Sequence, residues 1–134
     1  MPERYTALYL FIMDVQEDPE DIFEDLNINT GMVETKDGVV HVKRRKIHRE
    51  DGPAVEWDCG SEEWFWNGVR HRTDGPACTF NEGSTEWYIN GKLHREDGPA
   101  FVWGEDAQWW LEGKEYTEEQ FNRAIKLDKF LKDD

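Results

Sequence analysis

Apolar residues come in short bursts through the middle of this chain, and the bursts recur. Trp64-Phe65-Trp66 and Trp87-Tyr88-Ile89 are each followed by Asn-Gly, and Trp109-Trp110-Leu111 repeats the burst further on. A second set alternates more clearly: Ala54-Val55-Glu56-Trp57, Ala77-Cys78-Thr79-Phe80 and Ala100-Phe101-Val102-Trp103, each ending on an aromatic residue and followed by a turn of Asp, Asn, Glu and Gly. Short alternating runs bounded by such residues predict strands, and Asn67-Gly68 and Asn90-Gly91 predict two-residue type I′ hairpin turns, which require positive φ. The period changes at the ends. Residues 4–15 predict a strand at a sheet edge, and 17–26 a short helix with Asp18 as N-cap and Pro19 in its first turn. Thr117-Glu118-Glu119-Gln120 is a capping box, and Phe121, Ala124, Ile125, Asp128 and Leu131 then follow at helical spacing with Leu127 and Phe130 alongside, so 117–132 is an amphipathic helix.

Between the two sets of strands stands a nearly constant phrase: KIHREDGPA at 46–54, VRHRTDGPA at 69–77 and KLHREDGPA at 92–100. Its histidines, His48, His71 and His94, recur every 23 residues, a spacing that marks a repeat array. Upstream, GVVHVKRRKIH is a degenerate half-unit with Arg44-Arg45 in place of Asn-Gly; downstream, Glu115-Tyr116-Thr117 stands where His-Arg would return. Atypical end units are what a capped array requires.

The Asn-Gly turns set the register. Trp66 opposes Val69, Trp64 opposes His71 and Glu63 opposes Arg72; Ile89 opposes Lys92, Trp87 opposes His94 and Glu86 opposes Arg95, so that each Arg of the phrase gains a carboxylate across the ladder. In Asp-Gly-Pro, Pro has no N–H to give a ladder, Gly is the permissive residue before it, and Asp fixes the bend. The phrase therefore reads as the punctuation of a fold rather than as a reaction centre. The expected architecture is mainly β with flanking helices: an antiparallel meander of hairpin repeats in a single-layer sheet, closed by the C-terminal amphipathic helix. One domain covers 1–134, with an N-terminal strand and short helix over 1–30, a degenerate capping unit over 31–45, hairpin repeats over 46–116 and the C-terminal helix over 117–134.

Alternation puts Trp64, Trp87 and Trp109 on one face with Trp66, Ile89 and Leu111, and turns Phe65, Tyr88 and Trp110 to the other. Two short helices do not cover both faces of such a sheet. Candidate interface anchors are therefore Phe65, Tyr88 and Trp110, or Trp57, Phe80 and Trp103.

Charge narrows the choice of partner. The chain carries a net −14, with −8 over residues 1–40, +1 over 41–72 and −7 over 73–134. Such a molecule repels phosphate backbones, which disfavours direct nucleic-acid binding, and attracts basic protein surfaces. Aromatic residues make up 13% of the chain, which argues against disorder. The longest apolar run, residues 7–13, is too short to span a bilayer and lacks a basic leader, so no membrane role and a cytoplasmic location are expected. Cys59 and Cys78 show no metal-type spacing and read as free thiols of a reducing compartment. Each His-Asp pair of the phrase lies a whole repeat from the next, so no metal site is expected, and no nucleophile elbow or phosphate loop is present, so neither enzyme nor cofactor is expected.

EWYINGKLHREDGPA resembles the hairpin unit of the MORN-repeat family, with its Trp, Gly-Lys and His at fixed spacing. It is more closely similar to a Trp, Asn-Gly, His-Arg-Glu-Asp-Gly-Pro-Ala variant found in phage, bacterial and giant-virus proteins. The resemblance covers about 46–115, and Arg-Glu-Asp-Gly-Pro-Ala departs from the family's usual second Gly pair, which puts its lipid contacts out of reach here. The resemblance implies a curved sheet used for protein contact, scaffolding or self-association. The resulting expectation is a phage-encoded inhibitor that occludes a host or defence protein with a basic surface, such as a nucleic-acid-binding enzyme, with a homodimer as the self-contact form. The alternative is a protein that sequesters a nucleotide-type ligand, with aromatics stacking the base and Arg49, Arg72, Arg95, Arg44 and Arg45 holding phosphate.

Overall fold

The computed structural model describes residues 3–7, 23–24 and 26–132. Its strands are β1 (Glu3–Ala7), β2 (Gly31–Thr35), β3 (Gly38–Lys43), β4 (Lys46–Ile47), β5 (Val55–Trp57), β6 (Glu62–Glu63), β7 (Phe65–Trp66), β8 (Val69–Arg70), β9 (Cys78–Thr79), β10 (Thr85–Glu86), β11 (Tyr88–Ile89), β12 (Lys92–Leu93), β13 (Phe101–Trp103), β14 (Asp106–Leu111) and β15 (Lys114–Tyr116); helix α1 (Glu118–Lys132) follows. The main sheet runs β1-β2-β3-β5-β6-β9-β10-β13-β14-β15, with β4 on β3, while β7-β8 and β11-β12 form separate short ladders. The fold is thus mainly antiparallel strands in a meander-like sheet with one C-terminal helix.

Two of the repeats leave the main sheet at their tryptophans, Trp64 and Trp87, whereas Trp109 stays within β14. Trp64 N–H donates to Ala77 O at 2.6 Å and Trp87 N–H to Ala100 O at 2.7 Å, inside the main sheet, while the carbonyls of the same residues accept from His71 N–H at 3.1 Å and His94 N–H at 3.0 Å, inside the short ladders. The short ladders keep the register set by the Asn-Gly turns, with Trp66 opposite Val69 and Ile89 opposite Lys92. They end there, which corrects the expected Glu63–Arg72 and Glu86–Arg95 pairs. Glu63 lies in the main sheet opposite Val55 and Cys78, and Glu86 opposite Cys78 and Phe101. A two-residue turn fixes register only as far as its own ladder continues, and here that is two residues on each strand.

The turns themselves carry the backbone signature. Asn67 and Gly68 have φ of 48° and 85°, Asn90 and Gly91 have 49° and 81°, and Arg44 and Arg45 take the same positions at 52° and 65°. A fourth turn, Glu112-Gly113, has φ of 50° and 82°.

One row of side chains crosses the main sheet on its inward face: Val33, Val40, Val55, Glu63, Cys78, Glu86, Phe101 and Gln108 are successive register partners. Its first three members are buried with Phe23, Ile28, Val42, Ile47, Ala54 and Phe65, and this cluster is the hydrophobic core. Phe23 enters it from a helical turn that ends in a Schellman cap, in which Ile28 N–H reaches Phe23 O at 2.7 Å and Asn27 N–H reaches Glu24 O at 3.0 Å, with Asn27 at φ 57°. The expected cap at Asp18 and Pro19 and the strand residues 8–15 lie outside the described residues. β1 joins β2 in parallel, not as part of the meander. The chain between Ala7 and Gly31 has the dozen or more residues that a parallel crossover needs.

The helix closes the array. Thr117 N–H donates to Gln120 Oε1 at 3.0 Å and Gln120 N–H to Thr117 Oγ1 at 3.1 Å, completing the capping box. In the inner units the residue aligned with Thr117 gives its N–H to the next repeat: Arg49 to Phe65 O, Arg72 to Tyr88 O and Arg95 to Trp110 O. The cap therefore consumes the donor that would otherwise recruit another unit. Phe121 is buried against the sheet, whereas Leu127, Phe130 and Leu131 face out.

Candidate functional site

Every copy of the repeated phrase builds one turn with the same internal bonds. Arg49 Nε donates to Asp51 at 3.1 Å and Nη1 to Pro53 O at 3.2 Å. Arg72 binds Asp74 at 2.9 Å and Pro76 O at 3.2 Å, and Arg95 binds Asp97 at 2.8 Å and Pro99 O at 3.2 Å. The guanidinium lies so close to the turn that a Cβ added at Gly52, Gly75 or Gly98 would meet Cζ at 3.0, 2.8 or 2.9 Å, which is why glycine occupies the position. The same guanidinium stacks on an indole in the later units, Arg72 Cζ 4.0 Å from the Trp64 centroid and Arg95 Cζ 3.9 Å from that of Trp87. In the first unit His41 replaces that tryptophan, and Arg49 Nη1 instead lies 3.2 Å from His41 Nε2 and 3.0 Å from Glu56.

The histidines act between units. Asn67 N–H donates to His48 Nδ1 at 2.9 Å, Asn90 N–H to His71 Nδ1 at 2.9 Å, and Glu112 N–H to His94 Nδ1 at 3.0 Å. Each imidazole clips the tip of the following hairpin, so the three are strung along the array and do not meet. Among the described residues no group of three or more His, Cys, Asp or Glu is placed to hold a metal ion.

The arginines suggested for a phosphate are therefore engaged within their own turns. At the basic turn tip, Lys43 Nζ binds Glu50 at 3.1 Å and Arg45 Nη1 lies 3.7 Å from Glu24, while the N–H groups of Arg44 and Arg45 bond Thr30 Oγ1 and Asn29 O. The structure does not gather Arg44 and Arg45 with Arg72 or Arg95 around one point. The carboxylates on these turns stay outside: Asp51, Asp74 and Asp97 have side chains 87%, 77% and 78% exposed. Hydrogen bonds from Arg72 and Arg95 hold the Asp74 and Asp97 carboxyls below the ordinary carboxylate range.

The aromatic candidates divide. Phe65 is 7% exposed and belongs to the core, which takes it out of any surface. Tyr88, Trp110, Trp57 and Phe80 are half-buried, and Trp103 is 45% exposed. Trp57 Nε1 donates to Glu63 at 2.8 Å, so this indole is anchored from within. Trp103 lies 5.5 Å from the Phe80 ring and stacks on Phe101 at 5.9 Å, while its Nε1 reaches Glu86 at 3.3 Å. Exposed Glu82 and Glu105 occupy the turns beside this cluster, and exposed Asp106 opens β14 opposite Trp103. No lysine or arginine occurs in residues 50–69, 73–91 or 96–113, so the hairpins β5–β6, β9–β10 and β13–β14 carry acids and no bases, while Lys36 stands in the β2–β3 turn.

Sequence reasoning set Glu63 opposite Arg72 and missed its burial: it is 4% exposed. Its carboxylate accepts from Trp57, from Arg70 Nε at 3.2 Å and Nη2 at 2.8 Å, and faces the Cys78 thiol at 3.9 Å. Arg70 also spans the Phe65 and Tyr88 rings at 5.5 and 5.7 Å. Burial pushes the Cys78 thiol up to about 12, which makes it a poor nucleophile. Cys59 is exposed, and its hydrogen bond with Ser61 holds it below its ordinary value. The network ties neighbouring units together. No helix among the described residues is long and apolar enough to cross a membrane.

Compared with known protein families, with curated proteins and with solved structures, the chain matches none.

Proposed function

We propose that this chain is a non-enzymatic protein-binding module that offers an acid-rimmed aromatic surface to a basic partner protein. The observation that carries the reading is Trp103. It is a large side chain left 45% exposed, backed by Phe80 and Phe101, and surrounded by sheet turns that contain acids and no bases. An exposed aromatic on a rigid support, rimmed by charge of one sign, is the composition of an interface anchor with electrostatic steering. The repeated turns serve the same end, because their carboxylates are held in fixed positions by arginines that are themselves stacked or bonded within the turn. On the finer form of this proposal, in keeping with the hairpin-repeat resemblance, the module is a phage-encoded inhibitor that covers a basic site on a host or defence protein.

Affinity capture at low and high salt tests this. A partner protein retained at low salt, released at high salt and lost with Trp103→Ala is the expected result, with the variant's unfolding midpoint close to that of the parent. Capture indifferent to both salt and Trp103→Ala, or turnover of a substrate by the purified chain, would overturn it.

A further inference from the structure

The array supplies an internal template for a ligand. Trp64 and Trp87 each have an arginine of their own chain on the ring, from the position eight residues later. Trp109 holds the same place in the last unit, opposite Tyr116 in the β14–β15 ladder as Trp64 and Trp87 stand opposite His71 and His94. Eight residues later stands Thr117, which has no cation to offer and whose N–H and hydroxyl are spent on the helix cap. Among the described residues no cation lies over the Trp109 ring. Beside it runs an open groove of about 380 Å³ lined by Trp109, Tyr116, Glu115, Glu118, Gln108 and Gln120. Glu115 and Glu118 have neither an ion pair nor a side-chain hydrogen bond among the described residues. Lys114 sits at the Tyr116 ring, 5.4 Å from its centroid; Arg123, Lys126 and Lys129 line a separate groove on the helix side that Trp109 and Glu118 also border, where Arg123 is bound to Glu119.

We infer that this groove is a guanidinium site, filled in trans by an arginine side chain of the partner protein. The inner units show what the position accepts: a planar cation stacked on the indole with a carboxylate at its edge. The last unit keeps the indole and lacks the cation; the residue in the place of Asp74 and Asp97, Glu119, is bound to Arg123, and the groove instead offers Glu115 and Glu118, neither of them paired among the described residues. Arginine fits better than lysine because a flat guanidinium can cover the ring and still present in-plane N–H donors to Glu115 and Glu118. The inference rests on the protein-binding reading and gives it a chemical contact.

The test is a titration of the full chain with N-acetyl-arginine amide, followed at the tryptophan indole N–H signals by NMR. A saturable shift at Trp109, with the Trp64 and Trp87 signals still, is the expected result. The citrulline analogue, which keeps the shape without the charge, should produce none. The double variant E115Q/E118Q touches no bonded side chain and should keep the fold while weakening the arginine response about fivefold or more. No saturable response at Trp109 up to tens of millimolar, an equal response to citrulline, or an unchanged response in E115Q/E118Q would overturn the inference. So would capture of a partner protein at low salt that survives E115Q/E118Q; that result removes the groove from the interface and leaves the acidic, aromatic surface around Trp103 standing.

Discussion

On the inward face of the sheet the row begins Val33, Val40, Val55, and past β5 the same row continues Glu63, Cys78, Glu86, Phe101, Gln108. The first stretch is buried hydrocarbon packed with Phe23 and Phe65, where each fully buried side chain contributes about 1.5–3 kcal/mol. The second is held by indole and guanidinium bonds to carboxylates, by histidine clips and by Arg–Trp stacks. One end of the molecule thus gets its stability from the removal of apolar surface from water, and the other from polar contacts that leave aromatic rings partly open.

The sharpest way to break this contrast is to compare a core ring with a surface ring. Phe65→Ala is expected to cost about 3 kcal/mol, because it empties a site inside the core and also removes one ring from beside Arg70. Trp103→Ala should cost less than about 1 kcal/mol, since it is a surface ring. Urea unfolding of the two variants decides it, and equal losses would mean that the aromatic surface belongs to the core after all.

Glu63 marks the boundary between the two regimes. Glu63→Gln removes the charge that faces Arg70 while keeping an acceptor for Trp57, and should cost about 2 kcal/mol, reduced from the fully buried case because Arg70 reaches solvent. Adding Arg70→Met should recover part of the loss. A double variant no better than the single one would show that the pair acts only through packing.

The first unit also differs from the later two in its response to acid. Burial, with the Arg49 charge second, holds His41 below its ordinary 6.5, against the opposing pull of Glu56 and Asp51. A histidine with a lowered folded-state value binds protons more readily when unfolded, so its contribution is complete above pH 6.5 and falls as pH drops through that value. Asp74 and Asp97 are shifted down instead; their contribution holds above the ordinary 3.8 and fades only below it. Between pH 7 and 5 the His41 region should therefore lose amide-exchange protection before the Trp64 and Trp87 regions do. His41→Trp, which recreates the later units' stack on Arg49, should remove that early loss; an unaltered profile would put the acid sensitivity elsewhere.

The repeats, their turns, the His–Trp register of the short ladders and the capped helix were legible in the sequence because each is written within a few residues and then repeated. Asn67-Gly68 dictates its hairpin locally, and Thr117 to Gln120 dictates its cap. The departure of the chain from the main sheet at Trp64 and Trp87 was not legible, since it depends on which strand Ala77 and Ala100 offer to those tryptophans. Nor was the burial of Glu63 and Phe65, which is decided by Arg70, Trp57 and Phe23 arriving from elsewhere. The empty place over Trp109 was half written: Thr117 in the arginine position is visible in the repeat, and only the geometry of the Trp64 and Trp87 stacks says what that arginine does.

The smallest expected effect concerns the turns, which pay differently for one conformation. Asn67 and Asn90 adopt φ near 48° as residues that tolerate it, whereas Glu112 is held at 50° by the same two-residue turn. Glu112 N–H still clips to His94, so the turn geometry is imposed by the array rather than chosen by the residue. Glu112→Asn should therefore add about 0.5 kcal/mol without altering a contact, because it relieves the backbone and leaves the N–H donor in place. The reverse substitution, Asn90→Glu, should remove a similar amount. If thermal unfolding shows Glu112→Asn neutral while Asn90→Glu is costly, then the last hairpin already yields where the inner ones do not. The end of the array at Trp109 would then be softer than its inner units.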